Sequence, residues 1–414
     1  MGMSQVDVGG DRYSGSYVSH MESGRRQPTA DVAEYLAARM HVSLTDLLGS
    51  EPAVFAAQAA DRDLLLADLS ARTAWLEHDF AQAGKEAKRA GAAARRSGRL
   101  DSWWVSTSLR AQSMLAIGEY AECWELAEML ADHEIAAGSG AMRAEMLVLA
   151  SKSRRAEGQL IEAGSRAQAA IEAASTQPPA HGPLAHAYMA AIAAAAESGR
   201  IEDAVPFADR LRLVREHVES EHVRGLTAWS LGNLDFLGDN VERGKAEHAS
   251  ASRLLRPEAN LRAWARFRHA SASMHVAAGI TAGAREQLDR AGVALSLVGH
   301  VGDERQLQMA YAELAVAEGD YTGALSRIDA ALADPCPLPS NEQADAEIVR
   351  ATALNELGRS AQAQLALVRA ATQYEEAGAY PRALMAWKKH ADLTHPTGLR
   401  SLILSAGVVH SPQP

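Results

Sequence analysis

The sequence predicts an all-α protein, a superhelical solenoid of αα-hairpins behind a short helical segment at the N-terminus. Three observations carry that expectation. Hydrophobic residues make up 47% of the chain but aromatics only 5%, and alanine-rich runs such as 190–196 favour close-packed helices over a β-sandwich. A turn signal recurs at steps of 39 to 41 residues along most of the 414, the mark of stacked repeats. Apolar residues in the first fifty positions fall at helical spacing.

In that first segment, Tyr17, Val18 and Met21 share one helix face, Val32, Leu36 and Met40 the next, and Leu44, Leu47 and Leu48 a last short one. Ser14, Thr29 and Ser43 stand where N-caps belong. Ser14, Val18, Ser19, Met21, Glu22, Gly24, Arg25 and Arg26 match the recognition helix of the lambda-repressor-like, XRE-type helix-turn-helix, which residues 1–50 therefore resemble. The resemblance implies that Gln5 opens the helix before the turn and touches a phosphate or orients a base-reading partner. It implies that Ser16, Tyr17 and His20 face the major groove of a double-stranded DNA operator, and that Arg25 and Arg26 neutralise phosphate. The family begins with a further helix, which this reading finds lacking before Ser4. Gly9 and Gly10, at up to ~2 kcal/mol together against alanine, predict a short helix before the turn.

The repeats follow at 60–393, about eight of them. Turns are expected at His78, Gly118, Gly158, Gly199, Gly238, Gly279, Gly319 and Gly358. Two residues on stand Phe80, Tyr120, Leu160, Ile201, Asn240, Thr281, Tyr321 and Ser360, and five on stand Ala83, Cys123, Ala163, Ala204, Arg243, Ala284, Ala324 and Ala363. A glycine can end one helix in a left-handed cap, a large residue at +2 can wedge between the pair, and a small one at +5 lets the helices approach. Only Arg243 breaks the last rule. Seven residues before the turn come Ala111, Ser151, Ala272, Ala312 and Ala351, with Ile192 and Leu231 departing. Stretches such as 118–123 and 319–324 resemble the tetratricopeptide repeat, with a period longer than its usual ~34 residues. A loop at 175–183 and a tail at 394–414 complete the reading.

The resemblance implies a concave groove lined by the first helix of each pair, at about thirteen, six and three residues before the turn. Those positions hold Gln112, Glu145, Lys152, Arg155, His186, Asp235, Arg266, Gln306, Glu313, Asp345 and Asn355. Mixed charges and amides suit a peptide better than a greasy ligand. Arg155, Arg266, Asn355, Lys152, His186 and Gln306 are the expected ligand contacts.

Other chemistry is sparse in the sequence. Cys123 and Cys336 lie far apart without ligands at zinc spacing and read as buried fillers. His217 and His222 are five residues apart, not the four of a zincin helix. No phosphate-binding Gly-x-x-x-x-Gly-Lys-Ser/Thr loop occurs, so neither a catalytic role nor a cofactor is expected. The net charge of -11 excludes a nucleic-acid-coating protein, and no apolar run or leader suggests a membrane. A helix-turn-helix joined to such repeats resembles the cytoplasmic peptide-responsive regulators of the RRNPP type. That implies a homodimer whose signalling peptide or other ligand, held in the groove, changes the spacing of two DNA readers. The alternative is a scaffold that binds a protein partner through its repeats, with a vestigial N-terminus.

Overall fold

The computed structural model describes residues 2–48, 53–176 and 180–394. The expected tail beyond 394, and Pro178 and Pro179 of the expected loop, lie outside the described residues. The chain divides into two compact units, Met1–Ser113 and Met114–Pro414, with helices and no strand among the described residues.

The first unit opens with α1 (Gln5–Gly9), α2 (Gly15–Glu22), α3 (Ala30–Met40) and α4 (Leu44–Leu48). Ser4 and Asp7 close a capping box at the start of α1, which stops after five residues at Gly10. Gly10 has φ +53, and a Cβ there would lie 2.6 Å from the Tyr35 hydroxyl. Left-handed backbone and lack of room both require glycine. Ser14 caps α2 by accepting the Tyr17 N–H, and Ser43 accepts the N–H of Asp46. Thr29 holds the N-cap position of α3 without a side-chain bond. Val8, Val18, Val32 and Leu36 form the core, with Tyr13, Tyr17, Met21 and Tyr35 packed around it. Then come α5 (Ala53–Leu76) and α6 (Phe80–Arg96), which pair, and α7 (Leu100–Ile117), whose residues from Met114 onward, Ala116 among them, belong to the second unit.

The second unit continues with α8 (Tyr120–Ala131), the one-turn α9 (Glu134–Ala137), α10 (Gly140–Ala156), α11 (Leu160–Ala174), α12 (His181–Glu197) and α13 (Ile201–Arg215). It goes on through α14 (Glu221–Leu237), α15 (Val241–Leu254), α16 (Leu261–Ala277), α17 (Ala284–Val298), α18 (Val301–Glu318) and α19 (Tyr321–Ala331). It ends with α20 (Ser340–Glu356), α21 (Ser360–Glu376) and α22 (Tyr380–Thr394). From α10 to α21 these helices pair as hairpins and stack as a tetratricopeptide-like solenoid.

Seven of the eight expected turn residues are left-handed, from His78 at φ 64 to Gly118 at φ 90. The exception corrects the sequence reading. Gly238 has φ -95 and Asp239 takes the left-handed place at φ 57. Moving that repeat by one residue sets Val241 at the start of α15, buried Gly232 seven before the turn and buried Gly244 five after it. Arg243 and Leu231 therefore break no rule. A Cβ on Gly244 would strike the Phe236 ring at 2.7 Å, and one on Gly232 would strike His248 at 2.3 Å. In the α16–α17 repeat the second helix begins at Ala284, after a further left-handed residue at Gly283, and not at Thr281. The small positions meet where the hairpin is tightest: the Ser151 hydroxyl donates to the Ala163 carbonyl at 2.8 Å. Cys123 is buried, whereas Cys336 is only half-buried.

The superhelix of this second unit closes on itself. Leu160, first residue of α11, is fully buried among Ala344, Ala370, Tyr374, Ala377, Ala379 and Ala383 of the last three helices. Its N–H donates to the Ala377 carbonyl at 3.4 Å. A Cβ on Gly199 would lie 2.8 Å from Arg382, and one on Gly158 3.4 Å from Pro339. Further along, the Arg262 guanidinium donates to the Ala116 carbonyl at 3.3 Å. Among the described residues no helix is long and apolar enough to cross a membrane.

Candidate functional site

Two places bring the expected residues together. In the first unit, Val18 anchors α2 in the core, 3% exposed. Helical geometry then turns Ser16 and His20, four residues apart, onto one exposed face. Tyr17 does not join them. Its ring is half-buried, stacked on Tyr13 at 5.1 Å and covered by the Arg26 guanidinium at 4.5 Å. Arg26 is held further by its N–H to the His20 carbonyl at 3.0 Å, and Arg25 stands exposed beside it. Gln5 gives its amide to the Glu22 carboxylate at 2.6 Å, which ties the start of α1 to the end of α2.

In the second unit, closure of the superhelix turns the expected groove into a charged lumen. His186 on α12 meets Glu145 on α10 at 2.8 Å. Arg155 meets Glu197 at 2.5 Å, and Gln306 donates to both oxygens of Glu342, at 2.8 and 2.9 Å. Asp303, 1% exposed, holds Arg262 at 2.8 Å and Arg266 at 3.3 Å. Asp345 takes Arg382 at 2.8 Å and the Tyr374 hydroxyl.

Electrostatics links opposite walls. Glu197 chiefly, and Glu342 from across the lumen, raise the pKa of Arg155. Burial lowers that of Lys152, with Glu145 opposing and Arg155 and Arg266 adding to the fall. Lys152 is nevertheless exposed to solvent and forms no ion pair among the described residues, so it offers a cation to the lumen. Arg266 is lowered by burial against the pull of Asp303, whose Oδ1 lies 3.3 Å from its Nε. Burial pushes Glu313 and Glu342 up to about 7, against the Ser273 hydroxyl and the Gln306 amide respectively.

Three expected positions are elsewhere. Gln112 lies exposed on α7 in the first unit, its amide donating to the Ser108 hydroxyl at 3.3 Å. Asp235 is 3% exposed and clamped between Arg212, at 3.0 Å, and Arg243. The one-residue shift of its turn carries it off the lumen face. Asn355 is half-buried near the end of α20, and its side chain joins none of these contacts. The sequence reading passed over Asp303 and Glu342, each sixteen residues before its turn glycine, and Arg262, seventeen before. They lie one helical turn earlier on the face already singled out at thirteen before, so extending that face would have found them.

No protein-family model matches the sequence, and no curated protein does. Among solved structures, a Rap protein complexed with competence and sporulation factor is similar at a TM-score of 0.49 and 10% identity, covering 82% of this chain and 98% of that one. Aspartyl phosphate phosphatase F from Bacillus subtilis is similar at 0.42 and 13%, covering 97% and 92%. A tetratricopeptide repeat protein from Parabacteroides merdae is similar at 0.36 and 14%, covering 68% and 98%. At these values the functional reading rests on this chain's own residues.

Proposed function

We propose that this chain is a DNA-binding transcriptional regulator whose repeat lumen senses a peptide or other ligand and whose solenoid mediates homodimerisation. The observation that carries the DNA reading is the outer face of α2, where Ser16 and His20 stand exposed one turn apart opposite buried Val18. Short polar side chains on such a face reach base edges in a major groove, and Arg25 just beyond the helix reaches phosphate. Binding-site selection on random duplexes tests it. His20→Ala should relax preference at one base position, whereas Arg25→Ala should weaken all duplexes alike and reduce the salt slope by about one. Equal loss for both with unchanged base preference removes His20 as a reader.

The lumen reading is supported by the cations that line it. Lys152, without an ion-pair partner among the described residues, can take a peptide carboxylate, Arg266 adds its charge from beside Asp303, and Gln306 and His186 can reorganise towards the peptide backbone. A peptide present at a hundred times its Kd adds ~2.7 kcal/mol of stability. Thermal melts with a synthetic peptide library should find such a shift, and Lys152→Gln with Arg266→Gln should remove it. A shift that survives both places the ligand elsewhere. A second reading, a protein-interaction scaffold, draws on the same mixed-charge lumen. It prevails where no duplex is selected and a protein partner's binding falls with the two lumen substitutions.

A further inference from the structure

Lys245, His248, Ala249 and Ser252 recur at one face of α15. Together with Phe267 and Arg268 of α16 they bound a cleft of about 290 Å³. α15 itself packs along α14. Phe267, 1% exposed, underlies the cleft as its apolar floor. His248 is fully committed: its Nδ1 lies 3.0 Å from the Ser271 hydroxyl and its Nε2 3.0 Å from the Asn233 carbonyl oxygen. Burial, aided by His275, pushes its pKa down to about 3, so it stands there as neutral imidazole. His275 spends its Nδ1 on the Ser271 carbonyl at 2.7 Å, and its Nε2 has no hydrogen-bond partner among the described residues.

Arg268 differs from these neighbours. It has no carboxylate within ion-pair distance among the described residues, and its buried Nε has no hydrogen-bond partner. Its guanidinium sits 5.1 Å over the Trp264 ring. Burial, then the charge of Arg290, lowers its pKa, with Glu286 opposing. A buried donor left unmet is costly, and a group that meets it recovers that cost. Lys245 adds a second positive charge at the cleft, held by Glu242 at 2.9 Å.

We propose that this cleft binds a small carboxylic acid with an apolar body, the carboxylate on Arg268 and the body along Ala249, over the floor that Phe267 makes. A guanidinium presents a fork that fits a carboxylate with two parallel hydrogen bonds. The volume lies at the foot of the ~300–1,000 Å³ range of ligand sites, which suits a single-ring acid. Ser252, Gln287 and the Nε2 of His275 can orient it. The site is independent of the lumen.

Calorimetric titration of the full chain with benzoate, with cyclohexanecarboxylate and, in a separate arm, with inorganic phosphate tests this. Both acids should bind saturably and phosphate should not. Arg268→Gln should weaken the acids about tenfold or more, the equivalent of one charge-assisted pair. Ala249→Leu, which fills the cleft with apolar atoms, should abolish binding while circular dichroism and melting remain those of the parent. Arg72→Gln, which removes an exposed arginine paired with Asp68 at 2.7 Å in the first unit, should change nothing. Failure of both acids to saturate, phosphate binding as well as they do, or affinity that survives Arg268→Gln and Ala249→Leu would each overturn the proposal.

Discussion

Asp303→Ala should lower stability by about 3 kcal/mol or more, the cost of removing one member of a buried ion cluster and stranding the others. The carboxylate is 1% exposed and does three things at once. It pairs with Arg262 on one oxygen and Arg266 on the other, and it accepts the His300 N–H at 3.1 Å in the capping box of α18. Asp303→Asn keeps a capping oxygen but loses the charge, so it should recover only the cap's share, about 1 kcal/mol. Urea denaturation of the two variants measures both quantities. Equal stability of Asp303→Ala and the parent would mean that water alone satisfies the two arginines.

The same residue sets one limb of a pH profile. Burial raises the pKa of Asp303, but Arg266 and Arg262 outweigh it and leave the group below its ordinary value. Its contribution is complete above the unfolded value of ~4 and is lost as pH falls through the lower folded value. Glu313 and Glu342 act in the opposite sense. Each is raised to about 7 by burial. Between ~4.3 and 7 the folded chain therefore holds protons that the unfolded chain has released, and stability declines as pH rises through that window. Substituting both by glutamine should flatten the neutral limb while leaving the acid limb to Asp303.

The repeat was legible because a left-handed helix end admits few residues other than glycine, and glycine is visible in a sequence. Where an aspartate takes that conformation, at Asp239, the signal moves to the neighbouring Gly238 and drags every counted position with it. Arg243 then looks like an exception and Asp235 like a groove residue. The faces of single helices were legible too, so Arg155, Arg266, Gln306 and His186 were placed together. Glu145, opposite His186, was legible with them, but Asp303 and Glu342 were not, and Glu342 reaches Arg155 only through closure of the superhelix, which depends on packing between residues some two hundred positions apart. The face of α2 shows the same division. Periodicity separates Val18 from Ser16 and His20, but no periodicity tells that Tyr17 lies between Tyr13 and Arg26.

Leu160→Ala should cost about 2–5 kcal/mol, as for other fully buried leucines cut back to alanine, and the loss should register far from the substitution. Leu160 stands at the start of α11, yet the atoms around it come from α20, α21 and α22. In a solenoid each repeat ordinarily contacts only its neighbours, so a core substitution loosens its own repeat and the adjoining ones. Here the leucine also clasps the two ends of a superhelical turn, and its N–H is bound to the carbonyl of Ala377. Amide exchange should therefore quicken across α21 and α22 as much as across α11. Leu211→Ala, equally buried within α13, serves as the control and should quicken exchange in its own and adjacent hairpins alone. Were Leu160→Ala to show that same local pattern, the contact with the last helices would contribute nothing to their stability, and the lumen would be held shut by its ion pairs alone.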